Sequence, residues 1–107
     1  MHLGVIVETN EAEQIWNGFR LANKALDTGH EVDAFLLGAG VEAPDIESET
    51  YNPTGVLRKF TNEGGTVFAC GTCMDSREIE PSELRPRSTM GDLLEIVETT
   101  DKTITFG

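Results

Sequence analysis

Three short apolar runs, "LGVIVET" at residues 3–9, "EVDAFLLG" at 31–38 and "TVFAC" at 66–70, alternate with stretches of helical spacing, and this alternation most constrains the fold. Runs rich in β-branched residues without polar alternation describe strands covered on both faces, the kind found in parallel sheets. Between the first two, Asn10 is placed to cap a helix with Glu13 as its capping-box partner. Ile15, Phe19, Ala22 and Leu26 recur on one face, and Gly29 ends the pattern. Asn52 and Pro53 read as N-cap and first position of a second helix carrying Val56, Leu57 and Phe60, stopped by Gly64-Gly65. "ELRPR" at 83–87 reads as a short strand. Thr89 with Asp92 caps a helix bearing Met90, Leu93, Leu94 and Val97, and "KTITF" at 102–106 is the last strand. The pattern predicts an α/β fold, a three-layer sandwich on a mainly parallel sheet of about five strands with right-handed crossovers. At 107 residues the chain is expected to form one domain, 1–107, with no linker.

The segment "AGVEAPDIESET" at 39–50 holds four carboxylates and no base, and reads as a solvated loop. The same bias runs through the chain: 19 acidic residues stand against 8 basic ones, a formal net charge of −11. Such a balance argues against binding nucleic acid or an anionic membrane, since both require a basic footprint. With only three lysines (Lys24, Lys59, Lys102) beside twelve threonines, the surface fits a protein working in high salt, where self-repulsion is screened. The longest N-terminal apolar run is too short for a signal or spanning helix, so a soluble, cytoplasmic protein is expected.

Chemistry concentrates in "TVFACGTCMDSR" at 66–77, where the chain's two cysteines, Cys70 and Cys73, flank two residues at the end of the third strand. Four readings fit such a pair: a sulfur carrier, a dithiol redox couple, half of a metal site, or two packed thiols. In parallel α/β sheets, chemistry gathers at the carboxyl ends of strands. A turn starting at Gly71 would point backbone N–H groups at the Cys70 sulfur and favour its thiolate, the form that attacks sulfur. Arg77, Arg85 and Arg87 follow closely, either as a local positive patch or paired with surface carboxylates. Zinc needs about four ligands, whereas His2 and His30 begin strands at the opposite edge, so no metal site is expected within one chain. The Glu80-Pro81 pair is expected to break any helix after the cysteines, which separates "CGTC" from thioredoxin-type chemistry. No phosphate-binding glycine loop, nucleophile elbow or HExxH pair is present. Glu8, Thr9 and Asn10 end the first strand and Gly38 and Gly40 follow the second. With Gly71 and Thr72 they are the candidates to line a ligand cleft beside Cys70.

As a whole the sequence resembles the DsrE/DsrF-like family of small sulfur-relay proteins. The resemblance runs through "LGVIVETN", "WNGFRLANKALDTGHEVDAFLLGAGVE", "NEGGTVFACGTCMDSREI" and "STMGDLLEIVETTDKTITF". It implies a persulfide-accepting cysteine at the third strand's exit, matched by Cys70, and an arginine seven residues on, matched by Arg77. It also implies no organic cofactor, sulfur donor and acceptor proteins as partners, and assembly into trimers or hexamers through sheet-flanking helices. Trp16, beside the apolar stripe of its helix, is a candidate contact to a second subunit or a cover for the core's rim. Two departures stand out: the glycine after the arginine is Glu78 here, and Cys73 has no counterpart in the best-understood carriers.

Overall fold

The computed structural model describes all residues, 1–107. In chain order the elements are β1 (His2–Val7), α1 (Ala12–Asp27), β2 (Glu31–Leu36), a 3-10 helix (Gly38–Asp45), α2 (Pro53–Asn62), β3 (Thr66–Cys70), α3 (Gly71–Asp75), β4 (Arg87–Ser88), α4 (Met90–Thr99) and β5 (Lys102–Phe106). The five strands form one sheet in the order β4-β3-β2-β1-β5, and every neighbouring pair is parallel. Parallel neighbours need a crossover between them, and the helices supply it.

Helices cover both faces of the sheet. Gly18 of α1 lies against Phe106 and Val7, and Gly4 of β1 lies against Ile96 and Thr100 at the end of α4. On the first face α1 packs with α2: the Phe19 and Phe60 rings sit 5.4 Å apart, and the Asn23 side-chain amide donates to the Val56 carbonyl. Val5, Val7, Ile15, Phe19, Ala22, Ala34, Leu36, Leu57, Phe60 and Ala69 are all wholly buried there. Each large side chain among them contributes about 1.5–3 kcal/mol by leaving water. On the other face α4 seals less: Leu93 and Ile96 pack inward while Met90, Leu94 and Val97 stay exposed.

Several expectations hold at the level of single caps. The Asn52 side chain accepts the Gly55 N–H with Pro53 in the first turn, and Thr89 and Asp92 form a reciprocal capping box. Gly29 and Gly64 take φ of 94° and 100°, the left-handed conformation that ends helices. Others are corrected. Helix α1 is capped by Glu11, whose carboxylate accepts the Gln14 N–H at 2.8 Å, and not by Asn10. The Asn10 amide turns to Glu42 instead, and Glu13 closes no capping box but raises the Tyr51 phenol above its ordinary range. The first two strands end at Val7 and Leu36, earlier than their apolar runs, and the strand expected at 83–87 shrinks to Arg87–Ser88. Pro86 lacks the N–H a ladder needs, and Ser82 and Arg85 bond each other's backbone across a tight turn. The supposed solvated loop is in part the 3-10 helix, with Val41 and Ala43 wholly buried and two of its carboxylates engaged by arginines.

Candidate functional site

Strand β3 runs into Cys70, which pairs in register with Ser88 and keeps an extended backbone, and the chain then turns at once into α3. Cys70 is the N-cap of that helix: its Sγ accepts the Cys73 N–H at 3.4 Å. No long helix follows the cysteines, as expected, but a short one, Gly71–Asp75, opens at Cys70 and contains Cys73. It stops before Glu80-Pro81 is reached. The Ser76 hydroxyl donates back to the Thr72 carbonyl, and Glu78 takes φ 55°. That left-handed conformation favours glycine, which is the residue the resemblance places there.

Cys70 is nearly buried, while Cys73 on the first turn of α3 is partly exposed. The Cys73 sulfur also accepts a backbone N–H, from Gly38 at 3.2 Å, where the chain leaves β2. Gly38 has φ 56°, so a side chain there would strain the turn that aims this donor. Burial first, and then the hydrogen bond with the Cys70 sulfur, push the Cys73 thiol up from its ordinary range; the Gly38 N–H and Arg77 pull the other way. The two sulfurs thus stand close enough for each to feel the other's charge.

Around the pair the exits of three strands converge. Glu8 after β1 packs over Gly38, and the Val7 carbonyl presses on Gly40 so closely that a Cβ there would stand 1.9 Å from its oxygen. Arg77 donates to the Cys73 carbonyl at 3.1 Å and to Glu42 at 3.1 Å, and Glu42 also receives the Asn10 amide at 3.5 Å. Glu8, Asn10, Gly38 and Gly40 are thus brought to the cysteines together with Arg77. Thr9 uses its hydroxyl to accept the Glu11 N–H, Gly71 is buried next to Cys70, and Thr72 is exposed on α3.

All three local arginines are paired, which removes the alternative of an unpaired positive patch. Arg77 meets Glu42. Arg85 is buried and donates to Asp45 at 2.8 Å and to the Val41 carbonyl at 3.1 Å, tying the 3-10 helix to the chain before β4. Arg87 grips Asp75 through two bonds of 2.7 and 2.8 Å. The Gly38 donor and the Arg87 contact escape sequence reasoning because each joins segments far apart in the chain. The glycine-rich exit "GAG" was the one local sign of the first.

The clearest cavity in the molecule is not here. A groove of about 230 Å³ runs along the α4 face of the sheet, between α4 and the strands, lined by His2, Asp33, Phe68, Asp92 and Glu95 among others. His2 Nε2 and Asp33 lie 2.7 Å apart in its wall. The cysteines, by contrast, sit in packed backbone, and no group of three or more histidines, cysteines or carboxylates converges on a possible metal position.

Comparison with known proteins agrees with the fold. The DsrE/DsrF-like family matches over residues 1–106. The uncharacterised protein MJ0989 of Methanocaldococcus jannaschii is 33% identical, with 88% of each chain covered. The crystal structure of the ychN protein from E. coli superposes with a TM-score of 0.84 at 26% identity, covering 99% of this chain and all of that one.

Proposed function

This chain belongs to the DsrE/DsrF-like family, and on that premise we propose that it is a cytoplasmic sulfur carrier with Cys70 as acceptor. The Cys70 thiolate attacks the outer sulfur of a sulfane donor; a new Sγ–S bond forms, the donor's S–S bond breaks, and its electron pair leaves with the donor. The persulfide then passes to an acceptor protein by the same exchange in reverse. The observation that carries this reading is Cys70 at the exit of a parallel strand with a backbone N–H on its sulfur, at the strand ends where α/β sheets gather their chemistry. Near-burial of Cys70 suits a carrier, because the cargo is one atom and water is kept away from it. Arg77 holds the Cys73 carbonyl and so the turn on which both sulfurs are placed.

Cys73 supplies the second step when no acceptor arrives. Its sulfur attacks Cys70 Sγ, a Cys70–Cys73 disulfide forms, and the terminal sulfur leaves as sulfide. The residues around the pair, Glu8, Thr9, Asn10, Gly38, Gly40, Gly71 and Thr72, form the surface that a donor meets. No helix is long and apolar enough to cross a membrane. The apolar stripe of Met90, Leu94 and Val97 on α4 is the face through which copies assemble into trimers or hexamers. Trp16 has less need of a partner subunit, since its ring stacks 5.0 Å from Tyr51 and under Arg20 at 4.2 Å.

The test is mass spectrometry after incubation with a sulfane donor. Wild type should gain one sulfur atom per chain and Cys70→Ser none; equal loading of the two would overturn the assignment. A second reading, a dithiol oxidoreductase, is favoured by one observation: the cysteines do open a helix, with the first as its cap. It requires a disulfide potential of roughly −270 to −200 mV and insulin reduction that Cys73→Ser abolishes.

A further inference from the structure

Resting on the reading of Cys70 as a sulfur acceptor, we propose that Arg87, with Asp75 as its counterweight, is the positioning residue that draws an anionic donor to the Cys70 sulfur. The placement follows from the backbone. Strand β4 is only two residues long, and its register sets Arg87 opposite Ala69 and Ser88 opposite Cys70. From there the Arg87 side chain folds over the first residue of α3: a Cβ on Gly71 would stand 2.9 Å from Cζ and 3.0 Å from Nε and Cγ. Gly71 is therefore glycine for a reason beyond its turn, because any side chain would evict the guanidinium from the residue adjoining Cys70. Nη1 also reaches the Gly71 carbonyl at 3.4 Å.

Arg77, by contrast, spends its donors on the Cys73 carbonyl and on Glu42. The two arginines thus divide the pair, one serving Cys73 and the other standing at Cys70. The Arg87 guanidinium is held charged first by its hydrogen bond and charge contact with Asp75, and further by the Cys70 sulfur and Glu80. Half of the Arg87 side chain is exposed, so the charge stands where a ligand from solvent arrives. Asp75 neutralises much of its field. Removing the arginine therefore leaves a bare carboxylate on α3, the helix that Cys70 caps, and removing the carboxylate leaves a bare guanidinium.

The experiment is alkylation of Cys70 in the Cys73→Ser background, with iodoacetate as the anionic probe and iodoacetamide as the neutral one. The ratio of the two rates cancels changes in exposure and in the thiol itself. Arg87→Gln should lower that ratio several-fold, Asp75→Asn should raise it several-fold, and Arg87→Lys should hold it near the parent value. A merely structural role for the pair would move both neutralising variants in the same direction or neither, and either result overturns the proposal. Alkylation reads the charge at the thiol whether or not the chain carries sulfur. Failure here would therefore leave the carrier function standing, and loss of sulfur loading would leave this charge assignment standing.

Discussion

The α4 face of the sheet and the strand exits hold opposite things. Under α4, His2, Asp33, Asp92 and Glu95 surround an open groove of about 230 Å³. Where the strands end there is no such space, only two sulfurs that each accept a backbone N–H and glycines pressed against neighbouring backbone. The first region offers volume for a ligand; the second offers placement. Moving a single sulfur atom needs placement, and the difference shows why a search for the largest cavity would look in the wrong place on this protein.

The comparison breaks or sharpens most strongly at two glycines. Gly40→Ala at the cysteine end should cost about 3 kcal/mol in denaturant unfolding, since its Cβ meets the Val7 carbonyl and backbone cannot step aside. Gly4→Ala, under α4, should stay within about 1 kcal/mol of wild type because it meets only the side chains of Ile96 and Thr100. Equal costs would erase the contrast. Next comes Asp45→Ala, which strips the buried Arg85 of its carboxylate but leaves it the Val41 and Glu80 carbonyls. About 1.5 kcal/mol is expected, and no loss would mean that Arg85 does not anchor the 3-10 helix.

A third effect is electrostatic. The Cys73 thiolate should emerge only above the ordinary thiol range, so its alkylation rate should rise late with pH. Cys70→Ala removes the neighbouring sulfur that helps raise the Cys73 thiol, and the midpoint should move down. A midpoint that stays put or climbs would mean the thiols are not a coupled pair. The smallest effect is expected at the groove: His2→Ala should cost at most about 1 kcal/mol and leave sulfur loading of Cys70 unchanged. Loss of loading there would tie the two regions together.

These contrasts also mark what could be read from the residues alone. The order of strands and helices, the Asn52-Pro53 start, the Thr89–Asp92 box and Cys70 at a strand exit were all legible, because each depends on neighbours within a few positions. Glu11 displaced Asn10 as a cap because Asn10 finds Glu42, more than thirty residues on. The 3-10 helix has no helical apolar period to betray it, and its Glu42 and Asp45 looked solvated until distant arginines reached them. On α4 the apolar residues were visible but not their sides: Leu93 and Ile96 turn to the sheet while Met90, Leu94 and Val97 face out.

The pairing of β1 with β5 has a consequence in time. Leu3 lies opposite Lys102 and Val7 opposite Phe106, so β1 is synthesised long before its outer neighbour. Until β5 emerges, the N–H and C=O row on that side of β1 stays open, and an open parallel edge is slow to close and ready to accept a foreign strand. Pairing of the sheet's outer strand should therefore come late, with the nascent chain exposed to misassembly until then. A brief delay in making residues 102–106 should raise aggregation more than an equal delay within α2, whose contacts with α1 are local and quickly made.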